Sequence, residues 1–152
     1  MESQEKSMEV ITLLSQRELE KMRQSGRIAS ELLSDLGQML RPGLSTLELD
    51  DAAVAWMKDR GVKSSLLGYN QYQNSICTNV NESVCSGIPQ AIQILKSGDI
   101  IGITVCLKVD GYHAKVERTF CIGQPSPVAQ KLVEVAQACL KAGIATVHNG
   151  AR

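Results

Sequence analysis

Hydrophobic and polar positions divide the chain into blocks of different period. From Leu19 the apolar residues Leu19, Met22, Gly26, Ala29, Leu33, Leu36 and Leu40 recur every three or four positions, predicting a helix with one buried stripe. Ser15-x-x-Glu18 ahead of it is a capping box, with Leu14 and Leu19 placed as a hydrophobic staple. Arg41-Pro42-Gly43 stops the helix. Ser45-x-x-Glu48 is a second capping box, and Leu49, Ala53, Trp56 and Met57 predict a shorter helix ending near Gly61. The Trp reads as a packing residue. A third helix is predicted from Ser126 (N-cap) and Pro127 (first turn). Val128, Leu132, Val135, Cys139, Gly143 and Ile144, with Leu140 and Val147, form its expected buried face, and Asn149-Gly150 its stop.

Between Asp99 and Gly123 the period changes from helical to alternating. Two runs rich in Ile, Val and Thr flank Asp110-Gly111, a dipeptide suited to a tight hairpin because such turns need positive φ. A turn at that point sets Cys106 opposite Lys115. Ile101, Ile103, Val105, Leu107 and Val109 then share one face with Tyr112, Ala114, Val116, Arg118, Phe120 and Ile122. Thr104, Cys106 and Lys108 share the other with His113, Lys115, Glu117 and Thr119, a polar face where chemistry is expected. From Lys63 to Pro89 the pattern breaks, with short apolar pieces at Ile76–Val80 and Val84-Cys85 among Gly, Asn and Pro. Irregular segments of this kind carry binding groups.

Composition narrows the classes. The chain has 152 residues, 43% hydrophobic and 21% charged, enough for one domain with a core. No repeat or linker divides it; residues 1–14 are expected to be a frayed segment and residues 15–152 the domain. Sixteen basic residues balance sixteen acidic ones, which gives no electrostatic basis for binding nucleic acid or an anionic membrane. The polar start MESQEKSMEV lacks the apolar core segment of a signal peptide, so none is expected there, and no apolar run reaches the roughly 18 residues of a membrane helix. Five cysteines without a C-x-x-C pair read as small buried residues in a reducing cytoplasm.

The words LLSQRELEKMRQSGRIA, RPGLSTLELD, GYNQYQNSICTNVNESVCSGIP, LKSGDII, DGYH, RTFCIG and LVEVAQACLKAGI resemble type I methionine aminopeptidases almost from end to end. The resemblance implies α+β architecture: the first half of a pita-bread (creatinase/aminopeptidase) fold, an antiparallel hairpin sheet covered by helices. Active members of that family remove the initiator methionine with two divalent metal ions. Two aspartates from the hairpin's polar face hold the metals with a histidine and two glutamates from the second half, and a further histidine in the word H-G-I-P meets the substrate.

All three first-half positions differ here. The H-G-I-P histidine position is Ser86, and the two aspartate positions are Thr104 and Lys115, one diagonal step apart at about 7–8 Å between backbones. No catalytic residue and no metal ligand is therefore expected to remain, and no cofactor is expected. Tyr69, Tyr72 and Cys77 match positions that line the methionine pocket, and are expected to persist mainly as packing residues. Leu66 and Gln73 stand where relatives often carry cysteine and proline. Lys115 is expected to pair with Glu117 on its own strand face. Ser86 lacks a base and an oxyanion hole in the sequence, and Cys106 and Cys121 lie too far apart along the strands for one metal. The chain reads as an inactive aminopeptidase homologue. The alternatives are a non-catalytic binding protein acting as a homodimer and the first half of a split aminopeptidase.

Overall fold

The computed structural model describes residues 13–151. The segment expected to fray therefore lies, up to residue 12, outside the described residues. Helix α1 (Gln16–Met39) and helix α2 (Thr46–Asp59) both begin with the capping boxes read from sequence, each Ser hydroxyl accepting the backbone N–H three residues on. Strands β1 (Lys63–Ser64), β2 (Ile76–Val80), β3 (Ile100–Val109) and β4 (Tyr112–Cys121) follow, then helix α3 (Pro127–Ala145). All strand pairs are antiparallel, with β3 flanked by β1 and β2 along one edge and by β4 along the other.

The hairpin has the expected register through all ten pairs, from Ile100 opposite Cys121 to Val109 opposite Tyr112. Its turn places Asp110 at φ 49° and Gly111 at φ 90°, the left-handed pair that matches strand twist. Ile101, Ile103, Val105 and Leu107 are fully buried. They meet Ala29, Leu32, Leu33 and Leu36 of α1 and Leu49, Ala53 and Met57 of α2 in one core. Gly37 lets α1 approach β4, since a Cβ there would run into the Phe120 ring.

Several expectations change. The α1 stripe turns toward the sheet through Ser25, Ala29, Leu32, Leu33 and Leu36, leaving Met22 exposed. Leu14 is exposed too, so no buried staple forms with Leu19. The anticipated buried face of α3 is not buried: no residue of that helix is, because little of the molecule packs against it. Among the cysteines only Cys77 is buried; Cys85 and Cys139 are exposed and all five are free. The segment read as irregular holds β1, a single 3₁₀ turn at Tyr69–Gln71, and β2.

Candidate active site

The hairpin's polar face carries the two positions that the resemblance marks for metal. Thr104 lies on β3 between Cys77 of β2 and Glu117 of β4, and is 6% exposed. Lys115 lies diagonally across on β4, directly opposite Cys106. Its ammonium reaches the Glu117 carboxylate at 3.8 Å, with both side chains largely in solvent. That is the ion pair expected from sequence, worth about 1 kcal/mol or less where water screens it. Burial pushes the Cys106 thiol above its usual range, against the pull of Lys115, so it stays protonated at neutral pH.

Ser86 sits outside this row, exposed, in the loop that returns from β2. Its φ is 56°, a left-handed conformation that a residue with a Cβ seldom adopts. The next residue explains why the loop bends there. Gly87 donates its N–H to the Asn79 side-chain oxygen at 2.8 Å, and its carbonyl accepts from Thr78 N–H at 3.0 Å. A Cβ on Gly87 would run into the Thr78 carbonyl oxygen, so only glycine permits this approach.

The pocket residues separate. The Tyr72 hydroxyl lies 2.9 Å from the carbonyls of both Ile76 and Gly87, its one proton shared between two acceptors. Burial, and then contact with the Cys77 thiol, hold the phenol far above its usual range, so it stays protonated and donates to these carbonyls. Tyr72 and Cys77 thus meet, and Tyr72 ties the loop to the start of β2. Tyr69 is 66% exposed and is not part of that contact.

Two contacts that shape this region were not read from the sequence. Asp50 of α2, 4% exposed, accepts from Ser75 N–H (2.8 Å), Ile76 N–H (2.9 Å) and the Asn74 side-chain amide (2.8 Å). Its signal was a carboxylate on the apolar side of α2, beside Leu49 and Ala53. The second is His113, whose Nδ1 lies 2.8 Å from the Ser65 hydroxyl, joining β4 to the end of β1 across β3.

A hydroxyl, an ammonium bound to its neighbour, and a protonated thiol do not make a donor set for two hard divalent cations, which need carboxylates and imidazole. Among the described residues no three His, Cys, Asp or Glu side chains come together to hold a metal ion. No step through a metal follows from this face.

Similarity to known proteins agrees with the geometry of the fold. The chain is 51% identical over 144 residues to methionine aminopeptidase A of Synechocystis sp., an alignment covering 95% of this chain and 57% of that protein. Its fold superposes on the crystal structures of methionine aminopeptidase from Thermotoga maritima (TM-score 0.87, 25% identity, 91% of this chain and 55% of that one) and from Rickettsia prowazekii (TM-score 0.85, 29% identity, 89% and 54%). These relatives are pita-bread enzymes, and the chain spans a little over half the length of each. No helix among the described residues is long and apolar enough to cross a membrane. Residues 20–152 match the model of metallopeptidase family M24, and the chain belongs to that family.

Proposed function

We propose that this chain is a methionine-aminopeptidase-like member of its family that does not cleave peptides. One observation carries the reading: Lys115 presents an ammonium, paired to Glu117, beside Thr104 on the face where the resemblance calls for two aspartates. Exchanging two negative charges for one positive shifts the energy of a cation there by several kcal/mol, even at an effective dielectric of about 20. Ser86, exposed in its loop, supplies no imidazole to a substrate. Tyr72 keeps its place by tying the loop to the start of β2 beside Cys77, a packing role that needs no substrate. Five free thiols suit a reducing cytoplasm.

The test is elemental analysis of the purified protein together with an assay for methionine release from a Met-Ala-Ser peptide. The reading expects no stoichiometric divalent metal and no release; one tightly bound metal or more per chain, with release, overturns it. A second reading, a non-catalytic binding protein, is favoured by the uncovered apolar side of α3. Complementation by a separately encoded second half fits less well, because Thr104 and Lys115 would still lack carboxylates. Supplying a family second half to the unmodified chain, with the variant Ser86→His, Thr104→Asp, Lys115→Asp run beside it as the restored scaffold, tests it: activity from the unmodified chain would favour complementation.

A further inference from the structure

Five asparagines occur in the chain, and four of them are restrained or hindered. The Asn74 amide donates to Asp50, and the N–H of the next residue, Ser75, donates to the same carboxylate. The Asn79 side-chain oxygen accepts from Gly87 N–H. The Asn81 side chain accepts from Ile100 N–H and donates to the Asp99 carboxylate. Asn70 precedes Gln71, whose side chain stands beside the peptide nitrogen between them.

Asn149 is placed differently. It lies past the end of α3, exposed, and is followed by Gly150, also exposed. Ala151 N–H donates to the His148 carbonyl at 3.1 Å and closes a four-residue turn. Gly150, third in that turn, takes φ 85°, as a type II turn requires there. Its N–H donates to nothing among the described residues, and no atom stands within 4 Å of the place a Cβ would take. The nitrogen is therefore open to the neighbouring carboxamide. His148 adds a second feature, because its Nδ1 lies 3.0 Å from the Asn149 carbonyl oxygen. A carbonyl only accepts, so Nδ1 carries the proton in this contact. That oxygen belongs to the peptide unit whose nitrogen is that of Gly150. When this nitrogen loses its proton, negative charge spreads onto the oxygen, and the imidazole N–H stabilises it.

We propose that Asn149 is a self-modification site, at which a cyclic imide forms and opens to aspartate and isoaspartate with water as the only co-reactant. The Gly150 nitrogen, its proton passed to solvent, attacks Cγ of Asn149. The N–Cγ bond forms, the bond from Cγ to the side-chain nitrogen breaks, and that nitrogen leaves as ammonia. Water then opens the ring at either carbonyl. Opening at Cγ leaves aspartate, and opening at the main-chain carbonyl leaves isoaspartate. No electrons are transferred. Each event turns a neutral amide into a carboxylate, so the formal net charge falls from zero by one. No basic residue in the last turn of α3 offsets a carboxylate beyond that helix end. Asp110-Gly111 has the same small neighbour but offers a charged carboxylate, a poor electrophile, in place of the amide. The inference is independent of whether the chain cleaves peptides.

The test is to hold the purified full chain at neutral pH and physiological temperature for days. Isoelectric focusing should show a more acidic band growing in. Peptide mapping by mass spectrometry should place the change at Asn149, ahead of the other asparagines, as a mixture of the two products. An enzyme that methylates isoaspartyl carboxylates should label the same peptide. Gly150→Ala should slow loss of the amide about tenfold or more, since a methyl group then crowds the nitrogen. His148→Ala should slow it several-fold and leave the product ratio unchanged, because that ratio is set later, when the ring opens. His148, Asn149 and Gly150 are all exposed, so circular dichroism of the variants should match that of the unmodified chain. An unchanged Asn149, faster conversion at another asparagine, aspartate without isoaspartate, or a rate indifferent to Gly150→Ala or to His148→Ala would each overturn the proposal.

Discussion

Replacing Asp50 by alanine tests how the region that resembles a substrate pocket is held. The carboxylate of Asp50 links α2 to the start of β2 through three hydrogen bonds of 2.8–2.9 Å. Ser75 is 4% exposed and Ile76 is 0% exposed, so water does not reach their N–H groups. Truncation leaves two buried backbone donors without partners, at about 1–3 kcal/mol each. Relief of the buried carboxylate's desolvation offsets part of that sum, which leaves a net loss of about 3 kcal/mol. A domain of this size is stable by about 5–15 kcal/mol, so the change is large. Asp50→Asn keeps an oxygen for the two backbone donors but turns an amide NH₂ toward Asn74, and should cost about 1–2 kcal/mol. Urea unfolding followed by Trp56 fluorescence measures both. The ring is half-buried, donates to Asp35 at 2.7 Å and lies under the Arg60 guanidinium, so its emission should change sharply on unfolding. A loss below about 0.5 kcal/mol for Asp50→Ala would refute the reasoning, because two orphaned donors cost more than that. Equal losses for the two variants would show that charge, and not the acceptor oxygens, holds the strand.

Further expectations concern single groups. The Thr78 hydroxyl is buried without a hydrogen-bond partner, so Thr78→Val should stabilise by up to about 1 kcal/mol; a lowered thermal midpoint would mean that the hydroxyl is bonded. Gly87→Ala should cost about 2 kcal/mol or more and speed hydrogen exchange at the Thr78 amide, whose acceptor is the Gly87 carbonyl; unchanged exchange would count against the clash at that carbonyl pair. The backbone N–H of Ser45, and then its hydroxyl, hold the Glu48 carboxyl below the usual carboxylate range. Its contribution to stability is therefore present above pH 4.5 and is lost as pH falls through the lowered folded value. Glu48→Gln keeps an acceptor oxygen, so its thermal midpoint should fall less than that of the unmodified chain between neutral pH and about pH 3; parallel curves would contradict this assignment.

What could be read from the sequence was local. The hairpin needed only Asp110-Gly111 and the alternation on either side, and those fix the whole register. The capping boxes lie within four consecutive residues each. The α1 stripe was legible as a stripe, but Leu32 and Leu33 are adjacent, and only the sheet decides that the helix turns far enough to bury both. Strand β2 contains Thr78 and Asn79 and shows no clean alternation. It is buried throughout because the loop carrying Gly87 covers the side away from the core. The Asp50 contacts span 24 to 26 residues, beyond the reach of any period. For α3 the period was right and the burial was not, since amphipathicity records a preference and not the presence of a neighbour.

Alternation along β3 and β4 explains how the fold and the chemistry can part company. Ile101, Ile103, Val105 and Leu107 point into the core, while Thr104 and Lys115 belong to the opposite face. A change on the polar face leaves the apolar set and the register untouched. At position 104 it can even favour folding. The site is 6% exposed, and a carboxylate there without a cation would carry a desolvation penalty that a β-branched hydroxyl residue largely escapes. On β4, where Lys115 and Glu117 remain in water, the ammonium costs little and finds a partner at 3.8 Å. Stability alone therefore tolerates Thr104 and Lys115 at the two positions where the resemblance calls for aspartates.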